Sequence, residues 1–224
     1  MKKAVIIVAA GSGSRMGGEL PKQYLKLREK PIIIHTLERF QNFDPEMKVV
    51  VVLAHSHREL WEEMAKSYEI ARGTTIAAGG ASRYDSVKNG LSQLDQASLV
   101  GIHDAVRPLV SQDTLVRCYD AALRKGSGIP LIEMDESVRM LDKEGGSAPM
   151  DRSSLRRVQT PQVFRSERIK QAYQQAYKKT FTDDASVYET VYGAPTLVEG
   201  NRENIKITTP TDILLAGLLI DSLE

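Results

Sequence analysis

Ala4-Val5-Ile6-Ile7-Val8-Ala9-Ala10-Gly11-Ser12-Gly13-Ser14-Arg15-Met16-Gly17-Gly18 follows a short basic start, Lys2-Lys3. Residues 4–8 are almost wholly apolar and mostly β-branched, the pattern of a strand covered on both faces. The run passes directly into glycines, so it reads as a first strand and its turn. A secretion signal would need about 15–30 residues. A bilayer span would need about 20 consecutive apolar residues, and no run in the chain approaches that.

Working outward, residues 49–53 and 98–102 repeat the buried-strand pattern, and residues 74–77 do so more weakly. Between them, residues 33–40, 59–68, 84–94 and 114–123 carry apolar side chains at helical spacing. Strand and helix in alternation predict an α/β fold, a Rossmann-like, mostly parallel sheet flanked by helices. Ligands in such sheets bind beyond the carboxyl ends of the strands. Residues 137–141 and a second extended stretch toward residue 155, with a turn over 142–146, break the alternation. They predict a protruding β-hairpin arm over about residues 135–155, inserted in a single domain of residues 1–224. A lone hairpin is marginal in water, so a partner subunit is expected to cover it. Near the end, Thr209, Pro210 and Asp212 read as the cap, first residue and capping-box acid of a helix.

Thirty basic residues face twenty-nine acidic ones among 224, and the hydrophobic fraction is 42%. That balance argues against a nucleic-acid-binding or membrane-binding surface. The single cysteine, Cys118, permits no intrachain disulfide and fits a cytoplasmic protein. It falls in a helical run and reads as a buried thiol. His55 and His57 lack a third ligand at metal-site spacing. Asp183 and Asp184 read as the acidic first turn of a helix capped by Thr182.

The glycine loop brings backbone N–H groups close to a ligand, a good arrangement for anions, and Arg15 adds a planar donor fork suited to phosphate. Two familiar loops fail. The dinucleotide fingerprint needs glycine where Met16 stands and an acid where residues 54–57 read Ala-His-Ser-His. The P-loop needs a Gly-Lys-Ser/Thr triplet that never occurs. Lys22, in Leu20-Pro21-Lys22-Gln23, follows the loop. By spacing alone it is equally a solvated lysine and a phosphate contact. Asp104, at the end of a strand, can hold Mg²⁺ or pair with Arg107. Ser82 suits an N-cap.

The loop with Pro21-Lys22-Gln23 resembles the signature of the 2-C-methyl-D-erythritol 4-phosphate cytidylyltransferases, which act third in the non-mevalonate isoprenoid pathway. The similarity recurs at Gly79-Gly80-Ala81-Ser82-Arg83 through Ser86-Val87, at His103-Asp104-Ala105-Val106-Arg107-Pro108, at Thr160-Pro161-Gln162, and from Gly200 to Asn204-Ile205-Lys206. The resemblance implies that Arg15, Lys22 and Lys206 are catalytic. Ala9, Ala10, Gly11, Ser12, Gly13, Gly80, Ser86 and Asp104 would bind CTP, with Asp104 also holding Mg²⁺. Arg107, Ser137, Arg152 and Thr160 would bind the acceptor, Arg152 from the arm of a neighbouring subunit in a homodimer. One departure is Ser137-Val138-Arg139, where the family usually has threonine followed by lysine. Serine keeps the hydroxyl and arginine the charge.

The expected reaction is attack by an acceptor phosphate oxygen on the α-phosphorus of CTP, releasing pyrophosphate. The nucleophile is already anionic, so the absence of a Ser-His-Asp or Cys-His set is no obstacle. A ribitol 5-phosphate cytidylyltransferase shares the first loop and differs in its acceptor pocket. A non-catalytic nucleotide-binding regulator would not need Arg15, Lys22, Asp104 and Lys206 together.

Overall fold

A computed structural model describes residues 1–11, 20–95 and 97–223. In chain order its strands are β1 (Lys3–Ala9), β2 (Lys26–Leu27), β3 (Lys30–Pro31), β4 (Lys48–Leu53), β5 (Thr75–Ala78), β6 (Leu99–Asp104), β7 (Ser127–Glu133), β8 (Val138–Leu141), β9 (Ser147–Met150), β10 (Arg156–Val158), β11 (Gln162–Arg165) and β12 (Leu197–Glu199). The α-helices are α1 (Ile32–Phe43), α2 (Arg58–Ser67), α3 (Glu69–Arg72), α4 (Arg83–Leu91), α5 (Gln112–Lys125), α6 (Ser166–Ala172), α7 (Asp184–Tyr192) and α8 (Pro210–Leu219). The main sheet runs β10-β7-β11-β6-β1-β4-β5, with β12 paired to β7. β1 pairs in parallel with β4 and β6, and β4 with β5, while β11 runs antiparallel between β6 and β7. This is the mostly parallel α/β sheet that the strand–helix alternation predicts.

Period-two alternation divides the core. Val5, Ile7 and Ala9 of β1 face α1, α2 and α5, meeting Ile33, Leu37, Phe40, Trp61, Leu115 and Tyr119. Ala4 and Ile6 face the other way, toward Val87 and Leu91 of α4, Ile169 of α6 and Tyr188 of α7. Full burial of each valine, leucine, isoleucine or phenylalanine among them stabilises by roughly 1.5–3 kcal/mol. A third cluster seats α8 against Leu27, Ile32, Val106 and Leu109 through Ile207, Ala216 and Ile220. Its Thr209–Asp212 capping box and Pro210 stand as read from sequence.

Several expectations need correction. β7, β10 and β11 have no counterpart in the sequence reading. The hairpin β8–β9 is shorter than the stretch first read: Ser137 precedes it, and residues 152–154 form a 3-10 turn. Residues 204–208, although their apolar and polar side chains alternate as in a strand, join no sheet. They are held instead by the Ile207 N–H donating to the Val106 carbonyl at 3.0 Å. The cap of α7 is Asp183, whose carboxylate accepts from the Ser186 N–H at 2.9 Å, and not Thr182.

Candidate active site

The carboxyl ends of β1 and β6 lie side by side, with Val8 in register with Asp104. Here the strand order reverses, β4 and β5 lying on one side of β1 and β6 on the other. Such a switch point leaves a crevice for a ligand. The cleft found there is lined by Ala9, Ala10, Gly11, Lys22, Gly80, Ser86, Asp104 and Lys206, eight residues that the sequence singled out. Ser12, Gly13 and Arg15 lie outside the described residues. Beside Lys22, the Gln23 side chain, 2% exposed, donates to the Ala9 carbonyl at 2.7 Å and the Gly11 carbonyl at 3.3 Å. Gln23 therefore ties the Lys22 segment to the glycine loop, a role that the sequence reading missed.

Asp104 is the electrostatic centre. Its Oδ2 lies 3.0 Å from Lys206 Nζ and 3.2 Å from Arg107 Nε. Burial alone would raise its pKa, but Lys206, Arg83 and Arg107 outweigh burial and hold the carboxyl below the usual carboxylate range. Asp104 is thus ionised in the folded protein. The carboxylate pairs with Arg107, one of the two readings of the sequence, and it also faces the cleft. Arg107 donates further to the Asn204 carbonyl at 2.7 Å, so this guanidinium ties the end of β6 to the segment carrying Lys206.

Thr160 sits behind that centre, 6% exposed. Its hydroxyl oxygen accepts from the Asp104 N–H at 3.1 Å and donates to His103 Nδ1, 3.0 Å away. His103 Nε2 in turn donates to the Arg107 carbonyl at 3.0 Å. This tautomer satisfies every partner, and burial pushes the His103 pKa down to about 4, so the ring is neutral. The chain of hydrogen bonds fixes the turn that presents Asp104.

The opposite wall is the β5–α4 connection. Ser82 and Asp85 form the capping box that starts α4. The Ser86 hydroxyl accepts from the Gly80 N–H at 3.0 Å and donates to the Ser82 carbonyl at 2.9 Å. A Cβ at Gly80 would fall 2.2 Å from Cβ of Asp85, so only glycine fits. Arg83, also on the cleft, donates to both carboxylate oxygens of Asp184, at 2.9 and 2.6 Å. Asp184 is fully buried and accepts a third bond from the Tyr173 hydroxyl at 2.6 Å. The pair links positions 101 apart, and no local sequence signal could have announced it.

Arg152 and Ser137 stand apart from the cleft, both exposed near the hairpin. Arg152 donates to the Asp135 carbonyl at the foot of the hairpin. Among the described residues the cleft offers cations, one ionised carboxylate and backbone N–H groups, and no activated nucleophile. Cys118 is buried, its thiol pushed up to about 12. Among the described residues no group of three or more His, Cys, Asp or Glu could hold a metal alone. One ionised carboxylate facing the cleft is a donor set that fits Mg²⁺, which takes one or two carboxylates and fills its shell with other oxygens and water.

The model of the family 2-C-methyl-D-erythritol 4-phosphate cytidylyltransferase (IspD) matches residues 3–222. A relative of that name from Phocaeicola vulgatus is 47% identical, over 98% of this chain and 100% of its own length. One from Porphyromonas gingivalis is 46% identical over 99% of both. Among solved structures, the 4-diphosphocytidyl-2C-methyl-D-erythritol synthase of Anaerococcus prevotii superposes with a TM-score of 0.82 at 26% identity, covering 98% of this chain and 96% of that one. The 2-C-methyl-D-erythritol 4-phosphate cytidylyltransferase of Thermus thermophilus gives 0.80 at 28%, covering 99% and 100%.

Proposed function

The chain belongs to the 2-C-methyl-D-erythritol 4-phosphate cytidylyltransferase family and joins CTP to that acceptor with release of pyrophosphate, and from this premise we propose how its residues divide the work. An oxygen of the acceptor phosphate attacks the α-phosphorus of CTP in line. The new P–O bond forms as the bond to the β-phosphate oxygen breaks, and pyrophosphate leaves with that electron pair. The nucleophile is an anion, so no side chain takes a proton from it.

The obstacle is charge: two anions meet while a third leaves. Lys206 and Lys22, which line the cleft, stabilise the developing charge as pre-positioned donors, and Arg15 adds its charge as the family resemblance implies. The N–H groups of residues 9–13 cradle the triphosphate. Mg²⁺ held by Asp104 would neutralise phosphate charge. Gly80 and Ser86 form the nucleoside wall. The Ser86 proton already goes to the Ser82 carbonyl, so toward a base this hydroxyl can only accept. Arg107, Ser137 and Arg152 serve the acceptor. Thr160 serves it through Asp104, because its hydroxyl is spent inside the fold.

The observation that carries this reading is the Lys206–Asp104 pair at the switch point of the sheet, in the cleft that Ala10 and Gly11 also line. A homodimer through the arm is supported by the exposure of Met140 at 59% and Leu141 at 75% on a two-stranded hairpin. Light scattering showing a monomer at assay concentration would remove it. The single buried cysteine fits a reducing cytoplasm. Among the described residues no helix is long and apolar enough to cross a membrane. The reaction is tested by pyrophosphate release from CTP with 2-C-methyl-D-erythritol 4-phosphate and, in parallel, ribitol 5-phosphate. Release with the first alone supports the proposal. Release with the second alone keeps the chemistry and overturns the acceptor, and release with neither leaves a nucleotide-binding regulator.

A further inference from the structure

The nucleotide cleft does not end at Lys206. A second cleft opens on its far side, carrying Arg107, Arg157, Arg202 and Lys206 with one carboxylate, Asp212. That carboxylate is already spent, accepting from the Thr208 N–H at 2.8 Å, the Thr208 hydroxyl at 3.0 Å and the Thr209 N–H at 2.7 Å. Four cations thus converge on a hollow in which, among the described residues, the one lining acid is committed to capping a helix. Arg107 and Lys206 are tied to Asp104. Arg157 and Arg202 have another partner. Asp135, at the foot of the hairpin, places Oδ2 2.6 Å from Arg202 and 3.7 Å from Arg157. It is a half-exposed carboxylate gripped by two exposed guanidiniums. A phosphate dianion has the same preference for planar donor forks and carries more charge.

We propose that Arg157 and Arg202 are acceptor-binding residues that receive the phosphate of the sugar-alcohol phosphate next to Lys206, and that Asp135 is an internal carboxylate competing with that phosphate for them. The inference rests on the reaction proposed above and adds to it two cations and a competitor. The arrangement fits the geometry of transfer: Lys206 lines both clefts, so an anion in the second lies beside the triphosphate site in the first. It also links the arm to the site. Arg152 donates to the carbonyl of the same Asp135, so the residue that holds the two arginines also holds the arm's base.

The test is steady-state kinetics of the full chain, with CTP and 2-C-methyl-D-erythritol 4-phosphate each varied, on Arg157→Ala, Arg202→Ala, Asp135→Asn and the conservative Arg202→Lys. Removing either arginine should raise the acceptor KM about tenfold, equivalent to ~1.4 kcal/mol, while the KM for CTP holds. Lysine at 202 should recover part of the loss. Asp135→Asn should move the acceptor KM the other way, downward by about threefold or more. A merely structural role would not produce opposite signs from the two ends of one ion pair. An acceptor KM unchanged in both alanine variants, a rise in Asp135→Asn, or a CTP KM that rises in step would overturn the inference. If the unaltered protein turns over no acceptor, the reaction itself falls and this inference with it. Normal turnover with unresponsive variants sinks this inference alone.

Discussion

Replacing Lys206 by alanine separates catalysis from stability. Nζ of Lys206 lies 3.0 Å from Asp104 Oδ2, yet the side chain is 44% exposed. An ion pair open to solvent contributes at most about 1 kcal/mol to folding. For a chain of this size that corresponds to a fall of ~2–4 °C in Tm. Asp104 keeps Arg107 at 3.2 Å, so its charge is not abandoned in the interior. The catalytic loss is of another order. Removal of one pre-positioned donor from a site of developing charge costs roughly 2.7–4 kcal/mol, or about 10²–10³ in kcat. Lys206→Ala should therefore unfold within a few degrees of the parent in a calorimetric scan. It should release pyrophosphate at least a hundredfold more slowly at saturating substrates. A kcat within threefold of the parent in a folded variant would refute the reasoning. So would a Tm loss above 10 °C, which would mean that Lys206 supports the fold rather than the chemistry.

Asp104→Asn keeps the shape but leaves Arg107, only 12% exposed in its side chain, without its carboxylate. Breaking such a pair from one side costs about 3–5 kcal/mol, and urea unfolding should show a loss in that range together with loss of turnover. The pH dependence has a definite sign. Folding depresses the Asp104 pKa, so its stabilisation is present above the unfolded value of ~3.9 and is lost as pH falls below it. His103 acts in an earlier window. Its pKa is lowered to about 4, so between roughly pH 6.5 and 4 the unfolded chain binds a proton that the native one refuses. Stability therefore declines as pH falls through that window, and the ring resonances of His103 should not titrate in NMR between pH 7 and 5. Gly80→Ala puts a Cβ 2.2 Å from that of Asp85 and must displace the start of α4. It should cost ~1–3 kcal/mol of stability and raise the KM for CTP more than that for the acceptor.

The parts of the fold that sequence revealed are those where one physical rule dominates. The central parts of β1, β4 and β6 are buried on both faces and read as largely apolar runs. The box at Thr209–Asp212 is entirely local. β7 was hidden because Gly128 and Pro130 both weigh against a strand. Gly128 is required there by tertiary contact, since a Cβ would lie 2.2 Å from the Cys118 carbonyl oxygen. β11 was hidden by its four-residue length and by Pro161 before it. In the site, Lys22, Gly80, Ser86, Asp104 and Lys206 were legible because each follows a strand or belongs to a motif. Gln23 and Asp184 were not, because their work is to hold other segments. Thr160 was noticed for its motif, but the burial of its hydroxyl behind Asp104 is a property of the folded chain alone. At Thr182-Asp183-Asp184 three residues could each cap, and packing of Gln162 against Asp183 and the Ala185 N–H selects the middle one.

The most direct test of the transfer follows oxygen. With 2-C-methyl-D-erythritol 4-phosphate labelled with ¹⁸O in its phosphate, CTP and Mg²⁺, the products can be read by ³¹P NMR and mass spectrometry. Attack by the acceptor phosphate on the α-phosphorus predicts that all label is kept in the cytidine diphosphate product, some of it in the bridge, with none in pyrophosphate. Label in pyrophosphate, or release of pyrophosphate without the diphosphate product, would contradict it.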